Sequence, residues 1–264
     1  MKIKIGFIGM GNMGSLLLKQ MKLLDNNLIK FCIFDRNQHK LEQNCSGYNV
    51  IVCNSELELI QKSHIIFLCV KPNEYDDLLI KIKNFNPNII VVNITIGYPL
   101  KRMIEILGNE NSKVVRVMPS TTMVTKKSVI GWTYKNLTPK QIKLFNYLFK
   151  YCGNLYELSE KEIDIVSVIS GSLPAFIFKF IESASDGSVY CGLNREKSYQ
   201  IIAKTMISSA QLVLDKIAST TELKNQVTSP NGSTIHGILE LEKNNFSFAI
   251  MNSIIKTYEK TQKN

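Results

Sequence analysis

Three glycines in the pattern Gly9-Met10-Gly11-Asn12-Met13-Gly14 carry the first chemical signal. They follow the apolar run 3–8 and open a segment with helical periodicity. In that setting Gly9 permits the tight turn, Gly11 lets a pyrophosphate approach the backbone, and Gly14 lets helix and strand pack closely. The free amides and positive dipole end of the helix, around Asn12 and Met13, suit phosphate oxygens. The spacing therefore predicts a dinucleotide site. Near the end of the second apolar run stand Asp35 and Arg36. An aspartate there can accept hydrogen bonds from the adenosine ribose of NAD. An arginine there can pair with the 2′-phosphate of NADP. A third reading makes Asp35 a cap for the following helix, and the residue types leave all three open. Val70-Lys71-Pro72 ends the fourth run at the edge where a nicotinamide would lie, so Lys71 is either a cofactor or substrate contact or a solvated charge.

These residues need a scaffold that brings them together. Strand-like runs at 3–8, 30–34, 49–52, 65–70, 89–93, 113–118 and 129–134 are rich in Val, Ile and Phe. Such runs suit strands buried on both faces of a parallel sheet. Helix starts lie between them. Ser55 with Glu58 and Thr138 with Gln141 fit capping boxes, the second with Pro139 at the first helical position. The alternation predicts an α/β fold with an N-terminal Rossmann doubly wound sheet over residues 1–158. From 159 the pattern changes. Ser159 and Glu162 form a third capping signal, and apolar residues recur at helical spacing through 163–169, 175–184, 199–217 and 246–258, with a stop and new cap at 192–194. Residues 159–264 are thus expected to be all helical. Their apolar surface exceeds what so small a domain buries alone, which calls for a second copy of the chain or for the first domain.

Composition narrows the function class. The chain has 264 residues and a net charge of +10, yet only four of its 32 basic residues are arginine and no basic run exceeds two residues. That describes a lysine-rich solvated surface rather than a nucleic-acid face. The longest unbroken apolar run, 65–70, is far short of the ~20 residues of a bilayer span, so no membrane partner is expected. No secretory signal is visible, and the six cysteines lack Cys-x-x-Cys spacing. They read as reduced core residues of a cytoplasmic protein, and His39, His64 and His236 do not cluster as metal ligands.

In sequence order, residues 6–13, Val70-Lys71-Pro72, Arg116-Val117-Met118-Pro119, residues 170–176 and residues 223–234 together resemble the pyrroline-5-carboxylate reductase family. The resemblance implies reduction of a cyclic imine to proline by NADH or NADPH, the last step of proline biosynthesis. It implies a homodimer or higher homo-oligomer built through the C-terminal helices. It also implies that Ser229 and the amides around Gly232, Ser233 and Thr234 hold the substrate carboxylate, that the Thr234 hydroxyl meets the ring nitrogen, and that Ser120 lies in the cofactor loop. A helix start rich in small residues is an anion site on general grounds as well. Three positions depart from the family pattern. Ser120 and Thr122 stand in a loop that usually reads Asn-Thr-Pro, and losing the proline is expected to loosen it. Leu173 and Asn231 each replace a glycine. Two other readings of the same plan are a β-hydroxyacid dehydrogenase, for which Lys179 is available but Ser183 stands where an asparagine is wanted, and a dinucleotide-binding regulatory relative without turnover. No His or Glu stands out as a general acid, and His236, two residues past Thr234, is read as structural.

Overall fold

The opening apolar run becomes β1 (Ile3–Ile8), and alternation along it decides which helices cover which face. Ile5 and Phe7 join one buried cluster, whereas Ile8 joins the other. The computed structural model describes residues 2–24, 27–45 and 47–262. Its first half alternates strands and helices: α1 (Asn12–Met21), β2 (Ile29–Phe34), α2 (Gln38–Cys45), β3 (Ile51–Val52), α3 (Glu56–Lys62), β4 (Ile65–Leu68), α4 (Tyr75–Phe85), β5 (Ile90–Asn93), α5 (Leu100–Leu107), β6 (Lys113–Met118), β7 (Ser128–Lys135), α6 (Pro139–Leu148) and β8 (Gly153–Glu157). The strands form one sheet in the order β3-β2-β1-β4-β5-β6-β7-β8. Strand order reverses between β1 and β4, and the crevice outside their carboxyl ends is where such sheets take ligands.

Leu17, Leu18 and Met21 of α1 and Phe145 and Leu148 of α6 share one core cluster. Leu59 of α3, Leu78 of α4 and Met103 of α5 share the other. Both faces of the central strands are therefore covered, as the unbroken apolar run of β4 requires. Two features depart from the sequence expectation. β7 runs antiparallel to β6, with Trp132 opposite Val117. The short connection after β6 explains this: about ten residues cannot make a parallel crossover but can make a return. The second is a parallel edge strand, β8, bonded to β7. Asn154, Tyr156 and Glu157 are all exposed, so its sequence carries little apolar signal.

The rest is helical: α7 (Glu160–Gly171), α8 (Leu173–Tyr190), α9 (Arg195–Leu214), α10 (Thr220–Gln226), α11 (Ser233–Lys243) and α12 (Phe246–Thr261). The chain divides into two compact units, one holding the sheet and continuing through Gly171 together with the residues from Tyr258, the other Ser172–Thr257. α7 thus packs with the sheet, chiefly on β7 and β6. Asn194 caps α9 by accepting from the amides of Glu196 and Lys197, and Ser219 with Glu222 forms a further capping box on α10. Large apolar side chains stay exposed along the helices of the second unit, among them Phe178 and Phe248 at 63% each and Ile207 at 66%. The stretch 160–190 is long and apolar enough in composition to cross a bilayer, a property the unbroken-run criterion does not detect. Core helices of soluble proteins share that property. Here it is broken at Ser172, where α7 ends and Pro174 starts the next helix.

Candidate active site

The glycine loop joins β1 to α1 with no slack. Gly9 has φ +96°, and a Cβ there would lie 2.6 Å from the carbonyl oxygen of Cys69. A Cβ at Gly14 would lie 2.1 Å from the carbonyl oxygen of Gly9. Beside Gly11 a Cβ would meet nothing within 4 Å. That open face is the cradle a pyrophosphate needs. The helical ladder begins where Ser15 N–H donates to Gly11 O, so the amides of Asn12 and Met13 precede it. Gly9, Gly11, Asp35, Arg36, Val70, Lys71 and Pro72 line one cleft of about 930 Å³. This volume suits a cofactor. The residues present therefore fit a dinucleotide. Asn12, Met13 and Gly14, in the first turn of α1, do not line it.

Asp35 braces the loop. Its two carboxylate oxygens accept from the backbone N–H of Met10 at 2.7 Å and of Asn37 at 2.8 Å. The capping alternative is thus partly realised, as an Asx turn. Arg36 spreads between two acids, with Nη2 2.9 Å from Glu56 and Nη1 2.7 Å from Glu74. Glu56 also accepts from Lys81 at 2.5 Å. Burial pushes the Glu56 carboxyl up, but the hydrogen bonds from Lys81 and Arg36 outweigh it and hold the group below the usual carboxylate range. Glu56 and Glu74 were missed by the sequence analysis. Glu56 opens α3 and Glu74 closes the short 3₁₀ turn Pro72–Glu74, and Glu56 carries only the signal of an ordinary first-turn acid.

Ser120 is buried and does not line that cleft. It caps a short 3₁₀ turn, Thr121–Thr125. The Thr122 hydroxyl lies 3.1 Å from the Ser120 hydroxyl and 2.8 Å from that of Ser128. The loop expected to be loose is instead tied by three hydroxyls, which Thr122 makes possible where a proline would not. Just before it, Arg116 of β6 is buried and bonded to Asp164 at 2.6 Å and Glu160 at 3.2 Å, both on α7. Glu160 also accepts from the amide of Leu100 at the start of α5.

In the second unit, α11 starts at Ser233 with Gly232 as its N-cap and no side-chain cap. The preceding turn closes through Gly232 N–H to Ser229 O, with Asn231 at φ 55°. Asparagine tolerates that conformation better than most residues, so replacing a glycine here costs little. The Ser229 hydroxyl covers the open side of Gly232, 2.4 Å from where a Cβ would stand. Ser229, Ser233 and Thr234 are exposed, and the first-turn amides of α11 are uncapped. Helix-start amides without a side-chain cap thus stand in each unit, at α1 and at α11. Lys179, which a β-hydroxyacid dehydrogenase would need, is exposed and paired with Glu182 at 2.6 Å.

The family model described as pyrroline-5-carboxylate reductase dimerisation matches residues 160–264, and one described as NADP oxidoreductase, coenzyme F420-dependent, matches 4–97. The chain is 32% identical to the pyrroline-5-carboxylate reductase of Methanosarcina acetivorans, covering 98% of this chain and 97% of that one. It is 31% identical to that of Escherichia coli, covering 100% and 98%. A crystal structure of Plasmodium falciparum pyrroline carboxylate reductase with NADP bound superposes with a TM-score of 0.86 at 30% identity, covering 98% of this chain and 97% of that one. The Streptococcus pyogenes enzyme shares the fold with a TM-score of 0.89 at 23% identity, covering 100% and 99%. At 32% identity over 98% of its length, the chain belongs to the pyrroline-5-carboxylate reductase family.

Proposed function

We propose that this chain reduces 1-pyrroline-5-carboxylate to L-proline with NADH or NADPH. The observation that carries this reading is the full-length likeness to pyrroline-5-carboxylate reductases at 32% identity, and the turn from Ser229 to Thr234, with Asn231 as its one departure, supports it. The bound reduced dinucleotide supplies the hydride that the imine carbon accepts. Everything else is positioning, which can supply on the order of 7–11 kcal/mol. Gly9, Gly11 and the amides of Asn12 and Met13 hold the pyrophosphate. Asp35 and Arg36 border the adenosine, and Val70, Lys71 and Pro72 border the nicotinamide half. Ser120 acts by fixing the loop beside them. Ser229 and the amides of Gly232, Ser233 and Thr234 hold the substrate carboxylate. The substrate enters as its protonated imine, so hydride addition at carbon leaves a neutral ring amine, and the Thr234 hydroxyl oxygen accepts the hydrogen bond from the ring N–H.

The dimerisation match over 160–264 and the exposed apolar helix faces support a homodimer through the C-terminal helices. On this reading the functional division falls at 158/159, ahead of α7, although α7 packs with the sheet. The six free thiols suit a reducing cytoplasm.

The site assignment is tested by comparing wild type, Thr234→Ala and Thr234→Ser on the imine at saturating cofactor. Losing one hydrogen bond at the reacting nitrogen should lower kcat about tenfold, with serine restoring most of it and cofactor KM unchanged. Unchanged turnover in the alanine variant removes Thr234 from the chemistry.

A further inference from the structure

We propose that Glu56 and Glu74 set the cofactor preference of this chain, favouring NADH and disfavouring NADPH. The inference rests on the dinucleotide reading of the glycine-loop cleft. Arg36 is the side chain placed to neutralise a 2′-phosphate, and it is already engaged. Nε and Nη2 both donate to Glu56, at 3.1 and 2.9 Å, while Nη1 pairs with Glu74. Glu56 is mostly buried, with its side chain 11% exposed, and both acids line the cleft with Arg36. Lys81 adds a further cation, but it too is committed to Glu56.

A phosphate brought to this corner meets the carboxylates of Glu56 and Glu74 before it meets an unpaired guanidinium. Like charges at such range disfavour binding, and partial burial limits screening by salt. A ribose that keeps its 2′-hydroxyl offers a donor instead, which a carboxylate accepts. The Asp35 oxygens already hold two backbone amides. Glu56 already takes three hydrogen bonds from Arg36 and Lys81, whereas Glu74, paired with Arg36 through one oxygen, is the acceptor with capacity to spare. Lys40 and Lys71 also line the cleft and are the cations that oppose this effect.

The test is a titration of the full chain with NADH and with NADPH, following nucleotide fluorescence without any imine present. Wild type should bind NADH more tightly. Glu56→Gln, Glu74→Gln and the double variant should tighten NADPH about tenfold in the double variant while NADH changes less than about threefold. Glu74→Gln alters a side chain that is 29% exposed and carries the test alone if changes at Glu56 impair folding. Wild type that binds NADPH as tightly as NADH, or variants whose ratio of the two constants does not move, overturns the proposal. Both nucleotides binding with the predicted ratio but no imine turnover would instead count against the reductase reading and leave this one standing.

Discussion

Gly14→Ala is expected to raise the dissociation constant for reduced dinucleotide about a hundredfold, the size of effect that a shift of about 1 Å in a binding group produces. The added methyl would stand 2.1 Å from the Gly9 carbonyl oxygen and 3.1 Å from the Cys69 Cβ. The nearer neighbour is backbone, so it cannot rotate away. Gly9 cannot yield either, because its amide bonds to Phe34 O and the Met10 amide to Asp35. Either α1 lifts from the sheet or the turn opens, and both displace the amides that receive the pyrophosphate. Overpacking of this kind also costs stability, about 1–3 kcal/mol. Nucleotide titration and thermal unfolding of the same variant check both parts. Gly11→Ala is the control: space beside it is open, so it should fold normally and lose affinity only.

Arg116→Ala is expected to destabilise the chain by about 3 kcal/mol, at the lower end of what breaking a buried ion pair costs. Its side chain is 2% exposed and holds Glu160 and Asp164 together on α7. Those two acids are partly solvated, at 36% and 25%, which is why the lower end applies. Without the guanidinium they face each other and a cavity left at the end of β6. The Nε of Arg116 is buried and unpartnered, so the cluster is not an optimised one. Its part is to fasten α7 to the sheet and, through Glu160, to the start of α5. Urea unfolding reads the cost. Arg116→Lys should recover only part of it, since one ammonium cannot span both carboxylates as the fork does.

Much of the site was legible because its chemistry is local. The glycine spacing, the helix that follows and the strand that precedes it are contiguous, so their meaning survives without tertiary knowledge. The same holds for the turn before α11, where Ser229 to Thr234 lie within six residues. What stayed hidden depends on residues that meet from afar. Glu56 and Glu74 stand 20 and 38 positions from Arg36, and neither has a periodic signature. The Ser120–Thr122–Ser128 chain was hidden for another reason. A threonine in place of proline signals lost rigidity in the backbone, while the hydroxyl bond it gains appears only with Ser128 in place. In the fold, buried strands announced themselves by uniform apolarity. β8 did not, since an edge strand keeps one face wet, and the direction of β7 is set by loop length rather than by its own residues.

Steady-state reduction of 1-pyrroline-5-carboxylate tests the proposed activity most directly. Purified chain mixed with the imine and NADH or NADPH should consume the nucleotide and form L-proline in equal amounts. Nucleotide that binds but is not consumed, with no proline formed by either cofactor, contradicts the account and leaves the chain a dinucleotide-binding relative without this activity.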